Sequence, residues 1–259
     1  MISKNEIKFI KALSLKKFRV QHRKFIAEGS KIVLDLLNSS IAVSTIYALD
    51  EWILINRMLA QKAKTLVSIS PEELKKISTL TTPNQVLAVA EIPQTKFNPQ
   101  LASKSIIIAL DNIRDPGNLG TIIRIADWFG HTSVVCSETC VDAYNSKTIQ
   151  ASMGSIGRID IFYLDLKSMI QNTSVPAYGA FLEGKSVYDE AFENRGFLVI
   201  GNEANGISPD IAKLITHKIV IPAGNLLGIH AESLNASIAT AIICSEVNRQ
   251  LLNKKISQE

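Results

Sequence analysis

Apolar positions along this chain follow two alternating rhythms, short continuous runs and longer stretches at helical spacing. Ser3 with Glu6 three residues on is a capping-box pattern, and Ile7, Ile10 and Leu13 continue it as an apolar stripe, so a helix starts there. Residues 25–29 (FIAEG) read as a strand and 31–38 as a helix. Residues 43–49 (VSTIYAL) are β-branched and strand-like, and 51–60 are helical. A short strand follows at 66–70. Pro71 with two acids behind it then opens a helix, since proline and negative charge both suit a first turn. Residues 86–92 (VLAVAEI) form a further strand. The alternation of strand and helix predicts a small α/β domain.

The pattern breaks at residues 92–104 (IPQTKFNPQLASK), where two prolines and polar residues mark a connection. This places one domain at 1–95, a linker at 96–104 and a second domain at 105–259. The second domain opens on SIIIALD (105–111), a continuous apolar run of the kind buried on both faces of a parallel sheet. A helix over 118–129 and a strand over 132–136 follow. Further strands are expected near 158–163 and 176–182 and at 197–201 and 217–222, with a long helix over 232–252. A second α/β domain results, with its site at the carboxyl ends of parallel strands. The sequence shows neither internal repeats nor low-complexity tracts.

Composition adds limits. Of 259 residues, 46% are hydrophobic and 20% charged, the profile of an ordinary globular protein. No apolar run reaches the ~18 residues of a membrane helix. The basic N-terminus lacks a compact apolar core and a small-residue cleavage site, so no secretory signal is read and a cytoplasmic location is expected. Three cysteines, Cys136, Cys140 and Cys244, fit a reducing compartment, and without a second cysteine pair no metal site is expected. Net charge is +4, unevenly spread: residues 1–95 hold 14 basic and 8 acidic side chains, and residues 1–30 hold 8 and 2. A basic first third is what a phosphate-contacting module carries, although a solvated basic helix looks the same on charge alone.

Three blocks carry the chemistry: 111–130 (DNIRDPGNLGTIIRIADWFG), 198–208 (LVIGNEANGIS) and 219–246 (IVIPAGNLLGIHAESLNASIATAIICSE). Each joins an apolar run to a turn rich in glycine and asparagine and then to a helix. The chain has no GxxxxGK[ST] loop, no GxGxxG after the first strand of either half, and no GxSxG elbow, which disfavours an NTP-cradling, dinucleotide-binding or serine-hydrolase reading. Gly117, Gly120, Gly201, Gly206, Gly224 and Gly228 follow apolar strands, where glycine lets backbone approach a ligand. Arg124 lies among Ile122, Ile123, Ile125 and Ala126, as a snorkelling surface cation or an anion-facing one. Glu203 ends a buried strand, as a site carboxylate or a helix-start acid. Glu232, Ser233 and Asn235 either cap the last helix or present polar groups to a ligand. His230 beside Ser233 lacks the support a catalytic triad requires.

Together these blocks resemble the three motifs of the SpoU-type (TrmH-like) branch of the SPOUT methyltransferases. Asn118, Arg124, Ala126, Phe129 and Gly130 match N-x-x-N…R-x-A…F-G. Leu198 to Gly206, with Glu203, match L-V-x-G-x-E-x-x-G. Ile221, Pro222, Glu232, Ser233, Leu234, Asn235, Ser237 and Ala239 match I-P…E-S-L-N-x-S-x-A. The resemblance covers roughly 104–252. Residues 16–37 and 81–89 (TTPNQVLAV) resemble the family's substrate-binding domain.

The resemblance implies a ribosomal-protein-like α/β RNA-binding domain followed by an α/β trefoil-knot domain, the knot being an exception to the usual un-knotted connection. It implies a homodimer, S-adenosylmethionine bound through Gly201, Ile221, Pro222, Leu234 and Asn235, and methyl transfer to a ribose 2′-hydroxyl of structured RNA, ribosomal before transfer RNA. A non-catalytic RNA-binding assembly factor on the same fold is the alternative. Arg124, Asn118, Glu203, Ser233 and Asn235 take the catalytic positions. Arg124 matches the family's proposed base, but an ordinary guanidinium, with a pKa above ~12, is a poor one. It either sits in an unusual environment or fixes the target phosphate while another group takes the proton. Arg19, Arg23 and Lys24 are the expected RNA contacts. The loop at 223–231 (AGNLLGIHA) is longer than the family's, which loosens the carry-over at Gly224, Leu226, Gly228 and Ile229.

Overall fold

Two sheets account for the alternating runs. The computed structural model describes residues 2–224 and 232–256, and the chain divides into two compact units. The first comprises Met1–Thr95 with Asp142–Arg158, the second Lys96–Val141 with Ile159–Glu259. Gly228, His230, Leu226 and Ile229 lie outside the described residues.

In the first unit, helix α1 (Lys4–Ala12) starts where the sequence requires it. Ser3 Oγ accepts from Glu6 N and Glu6 Oε2 accepts from Ser3 N, so two orphan donors of the helix start are satisfied. Helix α2 (Lys16–His22) follows, ending at Arg23 in the left-handed region (φ 51°). Then come β1 (Lys24–Glu28), α3 (Ser30–Leu37), β2 (Val43–Ala48), α4 (Asp50–Ala60), β3 (Thr65–Ser68), α5 (Pro71–Ile77) and β4 (Val86–Glu91). The sheet order is β1-β4-β2-β3. Only β2 and β3 pair in parallel, around the β2–α4–β3 crossover, while β4 runs antiparallel to both neighbours. The alternating pattern therefore closes as a mixed sheet. One core cluster joins Ile10 and Leu13 to Ile26, Tyr47, Leu74, Ile77 and Leu87.

The segment 142–158 belongs to this unit because it satisfies groups the N-terminal stretch cannot. Arg19 is 3% exposed. Its Nε and Nη2 donate to Asp142 Oδ2 at 2.8 and 2.6 Å, and its Nη1 donates to the carbonyls of Leu13 and Ser14. The Phe25 and Tyr144 rings lie 5.0 Å apart, and Gln150 Nε2 donates to the Glu28 carbonyl. Helix α7 (Ser146–Ser152) lies within this segment.

The second unit runs β5 (Ile106–Leu110), α6 (Pro116–Trp128), β6 (Ser133–Cys136), β7 (Asp160–Tyr163), α8 (Leu166–Gln171), β8 (Ala177–Ser186), β9 (Gly196–Ile200), α9 (Pro209–Ala212), β10 (His217–Val220) and α10 (Ala236–Ile256). All its pairings are parallel, in the order β10-β8-β9-β5-β6-β7. Every residue of β5 and β9 is buried, as their unbroken apolar runs require. The chain leaves β5 toward β6 on one side and returns to β9 on the other, so strand order reverses between β5 and β9.

Several boundaries differ from the sequence pattern. Helix α6 begins at Pro116, not 118, because Asp115 caps it through Asn118 N. Strand β8 continues past 182 to Ser186 alongside β10, whose register shifts between Lys218 and Ile219. Helix α10 begins at Ala236, not Glu232. The Asn235 side chain accepts from the amides of Ser237 and Ile238 and stops the helix there. Helices α2, α7, α8 and α9, of four to seven residues, are too short to show a helical period.

Candidate active site

Because the sheet is parallel, the turns leaving β5, β9 and β10 all emerge at one edge, beside the switch in strand order where α/β folds bind ligands. The β5 turn is tightly held. Asp111, 4% exposed, accepts from Ser208 N at 2.7 Å. Asn112 is left-handed (φ 59°), and its amide donates to Ser137 Oγ at 2.9 Å. The Ile113 amide donates to Cys140 Sγ at 3.2 Å. A hydrogen bond from Cys136, then Ser137 and this amide, holds the Cys140 thiol down to about 7, while Cys136 is pushed up. With its turn pinned by these three bonds, α6 starts at a defined place.

The β9 turn requires its glycine. A Cβ on Gly201 would lie 2.2 Å from the Gly206 carbonyl carbon, because residues 202–206 fold back through paired amide bonds between Asn202 and Gly206. Glu203 sits half-buried on this turn.

Three of the expected residues meet. Asn118 Nδ2 donates to Glu203 Oε1, and Asn118 Oδ1 accepts from Asn235 Nδ2 at 2.8 Å. One residue from each block thus joins a single chain of hydrogen bonds. Asn118 comes from the first turn of α6, Glu203 from the β9 turn, and Asn235 from the cap of α10. The carboxylate accepts, the two amides relay, and the cap leaves Asn235 with its remaining donor aimed at Asn118. Arg124 and Ser233 are exposed, and among the described residues no hydrogen bond joins them to this trio. Arg124 projects from the outer side of α6, next to buried Ile123. Gly201 and Ile221 are half-buried, and Pro222 and Leu234 are exposed. A Cβ on Gly224 would meet open space.

In the first unit, one expectation is corrected. The Arg19 guanidinium is buried against Asp142 and two carbonyls, so it holds the fold and offers nothing to a phosphate. Arg23 is exposed and Lys24 half-exposed. Spacing alone gave Arg19 the same standing as its neighbours, because its acidic partner lies 123 residues away. Sequence reading also left Asp111, Asn112 and Asn202 without roles, although each follows an apolar run and Asn202 stands beside Glu203.

A parallel sheet with three polar turns at its switch edge, joined by a glutamate–asparagine–asparagine chain, is an α/β ligand-binding edge, and comparison with known proteins gives its class as an RNA methyltransferase. The chain belongs to the SpoU rRNA methylase family, whose model matches residues 105–245. Residues 4–88 match the MRM3-like substrate binding domain. The chain is 31% identical over 246 residues to the 23S rRNA (guanosine(2553)-2′-O)-methyltransferase RlmP of Bacillus subtilis, covering 93% of this chain and 95% of that one. Among solved structures it resembles one described as an RNA methyltransferase of the TrmH family from Porphyromonas gingivalis. The TM-score there is 0.87 at 35% identity, over 96% of this chain and 99% of that one. It also resembles an AdoMet-bound rRNA methyltransferase from Sinorhizobium meliloti (TM-score 0.84, 28% identity, 97% of each chain). Among the described residues no helix is long and apolar enough to cross a membrane, and no group of three metal-ligating side chains occurs.

Proposed function

We propose that this protein methylates a ribose 2′-hydroxyl in RNA with S-adenosylmethionine as donor, and that ribosomal RNA is its substrate. The observation that carries this reading is the Glu203–Asn118–Asn235 chain, which joins the three motif turns at the carboxyl edge of the sheet. The donor fits the residues present. The Gly201 turn tolerates no side chain, Gly224 faces open space, and Ile221, Pro222 and Leu234 offer apolar surface beside main-chain groups. Those residues and Asn235 would hold S-adenosylmethionine, which supplies an electrophilic methyl group on a sulfonium.

The chain's own residues then position the acceptor. Arg124, exposed on α6, carries a fixed positive charge and binds the phosphate next to the target ribose, since arginine side chains stay protonated in proteins. Asn118 orients the ribose, Glu203 fixes Asn118, and Ser233, exposed just ahead of the α10 cap, contacts the nucleotide or donor. Holding the 2′-oxygen in line with the methyl group supplies most of the acceleration. On the first unit, Arg23 and Lys24, with exposed Lys16 and Lys17, grip RNA phosphates.

The same reading includes a trefoil knot in the second domain, a cytoplasmic location and a homodimer. The dimer is supported by apolar side chains left exposed on the packed helices α6 and α10: Trp128 at 84%, Ile238 at 51% and Leu252 at 49%. The test is incubation of the pure protein with radiolabelled S-adenosylmethionine and unmodified total RNA. Alkali-resistant label in large ribosomal RNA is expected. Label confined to small RNA moves the substrate to transfer RNA, and no label on any RNA overturns the assignment.

A further inference from the structure

Asn202 stands between Gly201 and Glu203, and its side chain is used at both ends. Its Nδ2 donates to the Asn112 carbonyl at 3.0 Å, and its Oδ1 accepts from Ala204 N at 3.0 Å and Asn205 N at 3.2 Å. The first bond ties the β9 turn to the β5 turn, 90 residues away in sequence. The other two shape the β9 turn itself. A parallel tie runs from Ser208 N to Asp111.

These bonds close a ring. The chain runs from Asn112 through the Asp115 cap to Asn118, crosses to Glu203, steps back one residue to Asn202, and crosses again to Asn112. Without the Asn202 bond, the two turns would still be joined by the Asn118–Glu203 contact and by the Ser208–Asp111 bond, but the latter lies five residues beyond Glu203. The Asn202 bond ties the turn at the residue next to Glu203, and the register of Glu203 on Asn118 follows. A displacement of about 1 Å in a positioning group can cost on the order of 100-fold in rate. Asparagine suits this place because one planar group must both donate and accept: alanine does neither, and aspartate lacks the donor.

We propose that Asn202 is a positioning residue for methyl transfer, locking the β9 turn onto the β5 turn so that Glu203 meets Asn118 in register. This inference rests on the methyltransferase reading above.

The test compares wild type, Asn202→Asp and Asn202→Ala in full-length protein, with 2′-O-methylation of unmodified ribosomal RNA as the readout. Asn202→Asp keeps the two acceptor bonds but turns a carboxylate oxygen toward the Asn112 carbonyl. It is expected to lower kcat by about 30-fold or more, with the KM for S-adenosylmethionine within about threefold of wild type. The deficit should narrow as pH is lowered, because a protonated carboxyl regains a donor for Asn112. Asn202→Ala should lose as much or more, with no recovery at low pH. A kcat within about threefold of wild type in both variants overturns the inference. So does a loss that follows the unfolding midpoint and is equal at every pH, since that is a purely structural effect. A wild-type protein that transfers no methyl group overturns the functional reading itself and the inference with it.

Discussion

The two sheets differ in strand direction, and that difference decides where chemistry can be assembled. In the second unit all six strands run one way, so turns that leave the strands at Leu110, Ile200 and Val220 emerge on a single edge. Asn118, Glu203 and Asn235 meet there although the first and last are 117 residues apart. In the first unit β1, β2 and β3 run one way and β4, lying between β1 and β2, runs against both, so its exit falls at the opposite edge and the shared edge is interrupted. At the end of β1 the buried Glu28 accepts from Ser78 and Thr79, contacts that tie down one loop, and among the described residues that sheet joins no three motif turns. Its exposed features are charges on helices and turns, Lys16, Lys17 and Arg23 among them. A parallel sheet suits a site that needs several precise groups, whereas a mixed sheet suits a scaffold that presents a charged surface.

Breaking each side of this comparison should give a different signature. The largest effect is expected at the edge of the parallel sheet. Arg124→Ala removes an exposed cation that, among the described residues, makes no hydrogen bond to the trio, so transfer should fall by about 100- to 1000-fold with the unfolding midpoint unchanged. Near-wild-type turnover in that variant would remove Arg124 from the site. In the first unit, Asp142→Ala leaves the buried Arg19 guanidinium without its counter-charge and should cost about 3 kcal/mol in denaturant unfolding. Binding of S-adenosylmethionine should be unaffected, and weaker binding would give Asp142 a role in the cofactor site. Gly201→Ala forces a methyl group onto the Gly206 backbone. A stability loss of about 2 kcal/mol and a weaker cofactor complex by calorimetry are expected.

The smallest effect belongs to the opposite end of the parallel sheet. His131 Nδ1 lies 2.9 Å from the Ile106 carbonyl, and burial holds its imidazole below the ordinary range, the hydrogen bond only partly opposing this. The folded protein therefore takes up this proton at lower pH than the unfolded chain. The contribution is complete above the ordinary histidine pKa of about 6.5 and is lost as pH falls through the lower folded value. His131→Asn should flatten the pH dependence of the unfolding midpoint on that acid side. An unchanged slope would assign the dependence to other groups.

Legibility in the sequence divides along the same line. The continuous runs at 105–111 and 197–201 predicted buried parallel strands, and every residue of β5 and β9 is buried. The capping box at Ser3 marked α1, and Pro71 with the two acids behind it marked α5, because those signals are local. The seven-residue α7 escaped notice because about two turns are too few for a periodic pattern to stand out, and so did its membership in the first unit. Arg19 looked like a phosphate contact for a similar reason. Charge is visible in sequence, but the burial that spends it is not.

The local patterns of the chain determined by themselves that strands and helices alternate, that polar turns follow apolar runs, that Asn118 and Asn235 stand near helix starts, and that Glu203 follows a buried strand. Backbone propensity, capping and side-chain period act over a few residues and can be read there. Only the tertiary structure decided that Glu203 grips Asn118, that Asn202 ties two turns together, and that Asp142 neutralises Arg19. Those contacts join positions 85 to 123 residues apart, and they depend on strand order and direction, which local patterns do not encode.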